Sequence, residues 1–223
     1  MRSVVLNATA RCPRCSLTPR WCLCAAHADI RSPLALAMLT HKRELYRPSS
    51  TGNLIARLFP DARRHEWYPE RPLEPAQVLD PEREVWVLHP NGLPVPRDVA
   101  PESVQAILLD GSWSESAGIA RTVMRWGRLV QLPLSGESRF WLRAKQDGGR
   151  YSTAEALLFL LDCFGLAQQR DALRAQFELH VYANLRARGN TQLAADFLQG
   201  SVIQAAMPEF LAQLQMRRPH PAS

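Results

Sequence analysis

The sequence predicts an α/β fold: a mostly parallel sheet flanked by helices, with a small N-terminal cysteine knuckle. Three observations predict it. Short apolar runs recur at 34–39, 85–88, 104–109 and 129–132, each of strand rather than helix length. The interval between the last two has room for one helix and opens on Ser112-Trp113-Ser114-Glu115, the S-x-x-E form of a capping box. Strands alternating with helices imply parallel pairing, because parallel neighbours need a long crossover. Third, four of the five cysteines crowd into residues 12–24, which sets the first segment apart.

At 223 residues the chain can bury a substantial core, and the expected division is a knuckle over 1–29 and a main domain over 30–223. An apolar fraction of 46% with 22% charged residues excludes a disordered chain. No run approaches a membrane-spanning length, and Met1 to Ala10 lacks the apolar core of a secretion signal, so a cytoplasmic protein with no membrane partner is expected. The net charge of +6 is uneven. Between Arg121 and Arg150, seven basic residues face only Glu137 and Asp147, a local excess of five. A bland basic surface would account for this, but beside a site it favours a phosphate-rich partner.

In the knuckle, Cys12-Pro13-Arg14-Cys15 is followed by Cys22-Leu23-Cys24. Close thiol pairs in a reducing compartment more often hold zinc than form disulfides. Four thiolates complete a tetrahedral shell and leave no open position, so a structural zinc is expected on Cys12, Cys15, Cys22 and Cys24. His27 could replace a cysteine as ligand, but its expected place is the surface. Arg11, Arg14 and Arg20 surround the knuckle, as solvated arginines or as RNA contacts.

The run 34–39 ends in Thr40-His41-Lys42-Arg43-Glu44, and the hydroxyls of 49–51 are placed to start a helix through Phe59. His41 and Glu44 are candidates for an acid–base pair or for shaping a pocket. Nine of the 17 prolines fall within 60–101, so that stretch is expected to be mainly loop around the strand 85–88, which ends at His89-Pro90-Asn91-Gly92. The third strand ends at Asp110 and the fourth at Pro133. Trp113, Ala117, Ala120 and Met124 recur at helical spacing and predict the face packed on the sheet. Ser152-Thr153-Ala154-Glu155 is a second capping box. It opens a helix over 153–165 that is apolar nearly all round, with Cys163 in the core. Residues 171–188 read as an amphipathic helix with Leu173, Phe177, Val181 and Leu185 inward, stopped by Gly189. A last helix starts near Pro208, and 217–223 reads as a frayed tail.

Parallel sheets bind ligands beyond the carboxyl ends of their strands. Thr40-His41, His89-Pro90, Asp110 and Pro133 all fall at such ends. A basic-aromatic segment, Ser138 to Lys145, and the helix start at Ser152 follow. The combination suits an electrophilic cofactor and a polyanionic substrate.

From Cys12 to about Gly165 the chain resembles the DTW-domain proteins, the tRNA-uridine aminocarboxypropyltransferases. The resemblance rests on the cysteine knuckle, His41 to Glu44, Thr51-Gly52, His89-Pro90, Ser138 to Lys145, and Ser152, Thr153, Glu155 and Ala156. The family's Asp-x-Thr-Trp motif stands as Asp110-Gly111-Ser112-Trp113, with the capping hydroxyl kept; Phe140 stands where tyrosine is common. The resemblance implies a core similar to the SPOUT-type knotted RNA methyltransferases. It implies transfer of the 3-amino-3-carboxypropyl group of S-adenosylmethionine to N3 of a tRNA uridine, giving acp3U and methylthioadenosine. On this reading Asp110, Ser112 and Trp113 are catalytic candidates, Asp110 as general base or substrate anchor, with Trp113 also packing on the sheet. His41, Glu44, Thr51, His89, Pro90, Leu132, Pro133, Ser138, Ser152, Thr153 and Glu155 are candidates for holding the donor. Arg139, Phe140, Arg143 and Lys145 are candidates for RNA, with Phe140 or Trp141 stacking an extruded base. The expected partner is tRNA and the default state a monomer. The rival readings are a methyltransferase on the same scaffold and a non-catalytic zinc-knuckle RNA-binding or ribosome-assembly factor.

Overall fold

The computed structural model describes residues 10–71, 73–143 and 150–216. Its strands are β1 (Ala35–His41), β2 (Arg63–Trp67), β3 (Glu84–Pro94), β4 (Val104–Asp110) and β5 (Arg128–Gln131). They form one sheet in the order β2-β1-β4-β3-β5, and every pairing is parallel. The helices are α1 (Thr51–Leu58), α2 (Pro75–Val78), α3 (Trp113–Val123), α4 (Thr153–Cys163), α5 (Ala167–Ala187), α6 (Thr191–Leu198), α7 (Ile203–Ala206) and α8 (Pro208–Met216). The expected parallel α/β sheet with flanking helices is the observed architecture.

Successive residues of a strand face opposite ways, so a strand apolar throughout must be covered on both sides. Leu36, Met38, Ala106 and Leu108 join Leu54 and Leu58 of α1, Leu157 and Leu161 of α4, and Phe177 of α5 in one core. Ala37, Leu39, Ile107 and Val87 meet Ile119 and Val123 of α3 and Val78 of α2 in the other. The chain leaves β1 through α1 toward β2 on one side and leaves β4 through α3 toward β5 on the other. One crossover hand then requires α1 and α3 to lie on opposite faces, as they do. The sheet's switch point therefore falls between β1 and β4, where Thr40 pairs with Asp110.

Several expectations are corrected. Residues 60–101 hold more than loop: β2, α2 and a long β3 lie there. The sequence Arg63-Arg64-His65-Glu66-Trp67 of β2 is polar because it is an edge strand, which an apolar-run criterion passes over. In β3, Leu88 and Leu93 both align with Val130, so His89 to Gly92 are extruded from the ladder. A Cβ on Gly92 would lie 2.6 Å from the Val130 backbone, so the return of the strand needs glycine.

The buried face of α3 is Ile119, Ala120 and Val123; of the expected stripe only Ala120 lies on it, and Trp113, Ala117 and Met124 are exposed. The stripe fails because Trp113 begins the helix beyond the edge of the sheet. In α4, Leu158 and Phe159 are half-buried and Cys163 is exposed at the last turn, not in the core. The helix α5 starts at Ala167 and is buried on all sides from Ala175 to Leu185, including Gln176, Glu178, His180 and Asn184, so it is a central rather than an amphipathic helix. Covering it are α6 and α7, absent from the sequence reading, and α8, which begins at Pro208 as expected. The expected tail, 217–223, lies outside the described residues.

Burial of Glu178, 1% exposed, is matched by partners. Its carboxylate accepts hydrogen bonds from the Ser201 hydroxyl (2.6 Å) and the Val202 amide (3.1 Å), and ion-pairs with Arg174 (3.3 Å) and Arg139 (3.5 Å). Replacing Glu178 by alanine strands these donors and is expected to cost about 3 kcal/mol in urea denaturation; an unchanged midpoint would count against the cluster.

Candidate functional site: a carboxylate hub, a cavity and a thiol cluster

Asp110 ends β4 at the switch point and is 3% exposed. Its Oδ1 accepts from the Thr153 hydroxyl (2.8 Å), in the first turn of α4. Its Oδ2 accepts from the Ser50 hydroxyl (3.3 Å), the N-cap of α1, which also accepts from the Asn53 amide (3.1 Å). The Gly52 backbone N–H bonds the same carboxylate. A Cβ at Gly52 would sit 2.2 Å from Oδ2, so glycine is required for this approach. The Ala154 amide donates to Thr51 Oγ1 (3.4 Å), joining the two helix starts directly. Two helix N-termini, each carrying partial positive charge, thus converge on one carboxylate. Burial pushes the Asp110 carboxyl above its ordinary range, against the opposing pull of Thr153, Ser50 and Gly52.

A cavity of about 1150 Å³ opens over this hub. Its walls include twelve of the sequence-nominated residues: Glu44, Thr51, His89, Pro90, Asp110, Ser112, Trp113, Leu132, Phe140, Arg143, Ser152 and Thr153. The extruded His89 to Asn91 segment forms one side. Burial raises Glu44, opposed by its ion-pair partner Arg47 and reinforced by nearby Asp110 and Glu115. His41 is not on the wall. It is buried behind it, with Nδ1 3.3 Å from Glu115 Oε1 and its ring 5.5 Å from that of Trp67. Glu115 caps α3 through the Ser112 N–H (2.8 Å); although partial burial works the other way, Ser112, His41 and Arg47 hold it below its ordinary value.

Pro133, Ser138 and Glu155 also lie off the wall. The Glu155 carboxylate fastens the incoming loop, accepting from the Ser138 hydroxyl (2.9 Å), the Arg139 amide (2.7 Å) and the Ser152 amide (2.7 Å). Arg139 turns inward: its guanidinium donates to the Phe197 carbonyl (2.8 Å) and lies 4.1 Å from the Phe197 ring. Phe140 stacks on Phe177 and Trp141 meets Phe197 edge-on. Arg143 lies 5.2 Å from the Phe140 ring and donates to the Arg150 and Tyr151 carbonyls. Lys145 lies outside the described residues. Sequence reasoning missed Ser50, Arg47, Arg150 and Tyr151 on the wall. Ser50 was legible as an N-cap, and Arg150 as part of the basic excess.

The four knuckle cysteines come together. Their sulfur atoms all lie within 4.8 Å of one another, with Cys12–Cys24 at 3.5 Å and Cys15–Cys22 at 3.7 Å. A tetrahedral ion with bonds of about 2.3 Å sets its ligand sulfurs roughly 3.8 Å apart, so the set fits zinc. The Cys15 amide holds the Cys12 thiol down to about 6, whereas burial raises Cys22 and Cys24. A packed thiol group of this kind favours a cation that discharges all four. The surroundings agree. Arg57 donates to the Arg14 carbonyl (3.3 Å), and its buried Nε and Nη2 have no acceptor among the described residues. Burial lowers Arg57, and the thiols Cys15, Cys24 and Cys12 pull the other way. His27 is not the surface residue expected: both ring nitrogens are buried, and burial, with Arg57 and Arg14, holds it down to about 4. Cys15, Leu17, Trp21 and Leu23 share the core of α1 and α5, and Gln176 donates to the Ala26 carbonyl.

A parallel α/β sheet with a cavity at its switch point and four clustered thiols defines an α/β protein with a candidate ligand site and a cysteine knuckle whose geometry fits a metal ion. The chain belongs to the DTW-domain family, whose model, described as DTW domain, matches residues 9–184; the family is associated with tRNA modification. No solved structure matches the chain. No helix among the described residues is long and apolar enough to cross a membrane.

Two outcomes are expected. Cys15→Ser should abolish stoichiometric zinc, read by elemental analysis of the purified protein, and lower its melting temperature. For Asp110, whose folded pKa exceeds its unfolded one, the native state keeps the extra proton between the two values, so stability falls as pH rises through that window. Asp110→Asn removes this contribution. The stability difference should therefore move in the variant's favour from about pH 4, near the unfolded carboxyl value, toward neutrality, as measured by urea midpoints.

Proposed function

We propose that the chain is a tRNA-uridine aminocarboxypropyltransferase. Its substrates are S-adenosylmethionine and a uridine in tRNA; its products are acp3U in tRNA and methylthioadenosine. The observation that carries this reading is the buried Asp110 carboxylate at the switch point of a DTW-family sheet, opening on a cavity with room for a nucleoside donor and an acceptor base.

The sulfonium of S-adenosylmethionine activates each carbon bonded to it, so orientation selects the carbon attacked. The N3–Cγ bond forms as the Cγ–S bond breaks, its electron pair goes to sulfur, and the N3 proton goes to a base. Holding the two reactants in line supplies about 7–11 kcal/mol of the barrier. Asp110 is the proton acceptor in this reading. The burial that raises its pKa strengthens it as a base when ionised, and Ser50 and Thr153 fix its oxygens. Glu44, raised in the same way and partnered by Arg47, lies on the same wall and receives the donor's cationic end. Arg143 and Arg150 supply positive charge for the donor carboxylate or a tRNA phosphate. Zinc, when bound by the four thiolates, supplies a structural cross-link. In this reading the protein is a cytoplasmic monomer whose macromolecular partner is tRNA.

The test uses S-adenosylmethionine labelled either in its propyl arm or in its methyl group, incubated with the protein and tRNA, followed by nucleoside mass spectrometry. Propyl label is expected in tRNA and methyl label in methylthioadenosine. Methyl label in tRNA would instead support a methyltransferase, and label in neither would support a non-catalytic factor. Asp110→Asn is expected to slow transfer about 10²–10⁴-fold while tRNA binding persists; near-normal turnover would remove Asp110 from the chemistry.

A further inference from the structure

Of the six tryptophans, five are interior or half-buried. Trp86 is stacked on Phe164, Trp67 lies beside His41, and Trp141 packs edge-on to Phe197. Trp113 is 45% exposed. Its position is fixed, because the Ser112–Glu115 capping box sets the start of α3 three residues past the tip of β4. It is on the cavity wall, and the Arg150 guanidinium carbon lies 5.6 Å from its ring centroid. Of the two aromatic residues nominated from sequence as stacking surfaces, Trp141 is off the wall and edge-on to Phe197, while Phe140 is on the wall with its ring 6.4 Å from that of Phe177.

An exposed indole on the wall of a cavity, with a guanidinium over its ring, offers a stacking surface and a cation together. Planar heteroaromatic bases stack on such rings irrespective of sequence, while the cation meets the phosphate backbone. We infer that Trp113 and Arg150 form a platform for one unpaired nucleobase of the RNA substrate, with Trp113 as the stacking surface and Arg150 beside it as the phosphate contact. The platform rests on the RNA reading of the cavity and adds to it the form of RNA bound: a single-stranded segment rather than a duplex, whose bases are already paired and stacked. The donor's adenine is also a planar base. The exposure of Trp113 and the basic character of the rim, which includes Arg47 and Arg143, favour the polyanion.

The test measures binding of a short oligouridylate and of S-adenosylmethionine by full-length wild type, Trp113→Ala and Trp113→Phe, with melting temperatures checked first. Trp113→Ala should weaken oligouridylate binding about 5- to 150-fold, and Trp113→Phe should recover most of the loss. Equal RNA binding by wild type and Trp113→Ala would overturn the platform while leaving the tRNA reading intact. Loss of donor affinity with RNA affinity unchanged would overturn it in favour of an adenine subsite. Failure of wild type to bind either oligouridylate or tRNA would overturn both. An independent readout needs no substitution: an oligonucleotide carrying 4-thiouridine, irradiated on the wild-type protein, should crosslink to the peptide containing Trp113. Crosslinks confined to other peptides would count against the platform.

Discussion

The architecture of the site depends on a single buried carboxylate. Asp110 stands where β1 and β4 part company, and Ser50, Gly52 and Thr153 bring the starts of α1 and α4 onto it. Each contact constrains the others. Serine at 50 must both cap α1 and reach Asp110, glycine at 52 must leave room for Oδ2, and Thr51 must accept from the Ala154 amide. A carboxylate between two helix starts is electrostatically compensated, yet burial still raises its pKa. The fold thus keeps a carboxyl group with a raised pKa on the wall of the cavity at the switch point.

Around this hub the molecule separates holding from contact. Glu155 and Glu178 carry no wall of the cavity, yet between them they anchor the loop that bears Phe140 and Arg143. His41 sits behind Glu115, and Glu115 caps the helix that begins with Trp113. The knuckle belongs to the same scheme, since its Cys15, Leu17, Trp21 and Leu23 lie in one core with α1 and α5. Supporting contacts of this kind are what hold the residues of a site in a defined geometry.

The sheet was legible in the sequence where burial on both faces leaves uninterrupted apolar runs, as in β1 and β4. It was illegible where a strand lies at the edge, since β2 reads Arg-Arg-His-Glu-Trp. Both capping boxes, at Ser112 and Ser152, are present because their signal is local chemistry. Packing faces were harder to read. The stripe ending in Trp113 and Met124 had the correct period but the wrong phase, because which side of a helix meets the sheet is settled by where the helix begins relative to the strand tips. The thiol cluster was legible from spacing alone. The inward turn of Arg139 was not, because a basic residue in a basic segment carries no mark of the carbonyl and ring awaiting it fifty-eight positions later.

That distant pairing has an architectural meaning. The DTW match ends at residue 184, inside α5, while Phe197 and Ser201 lie beyond it. Through them the final helices grip Arg139 and Glu178, and so steady the loop beside the cavity from outside the shared module. The border drawn by kinship is therefore not a seam in the structure: the matched segment is braced by residues outside it, so a change in the last helices reaches the loop beside the cavity through the bonds to Arg139 and Glu178.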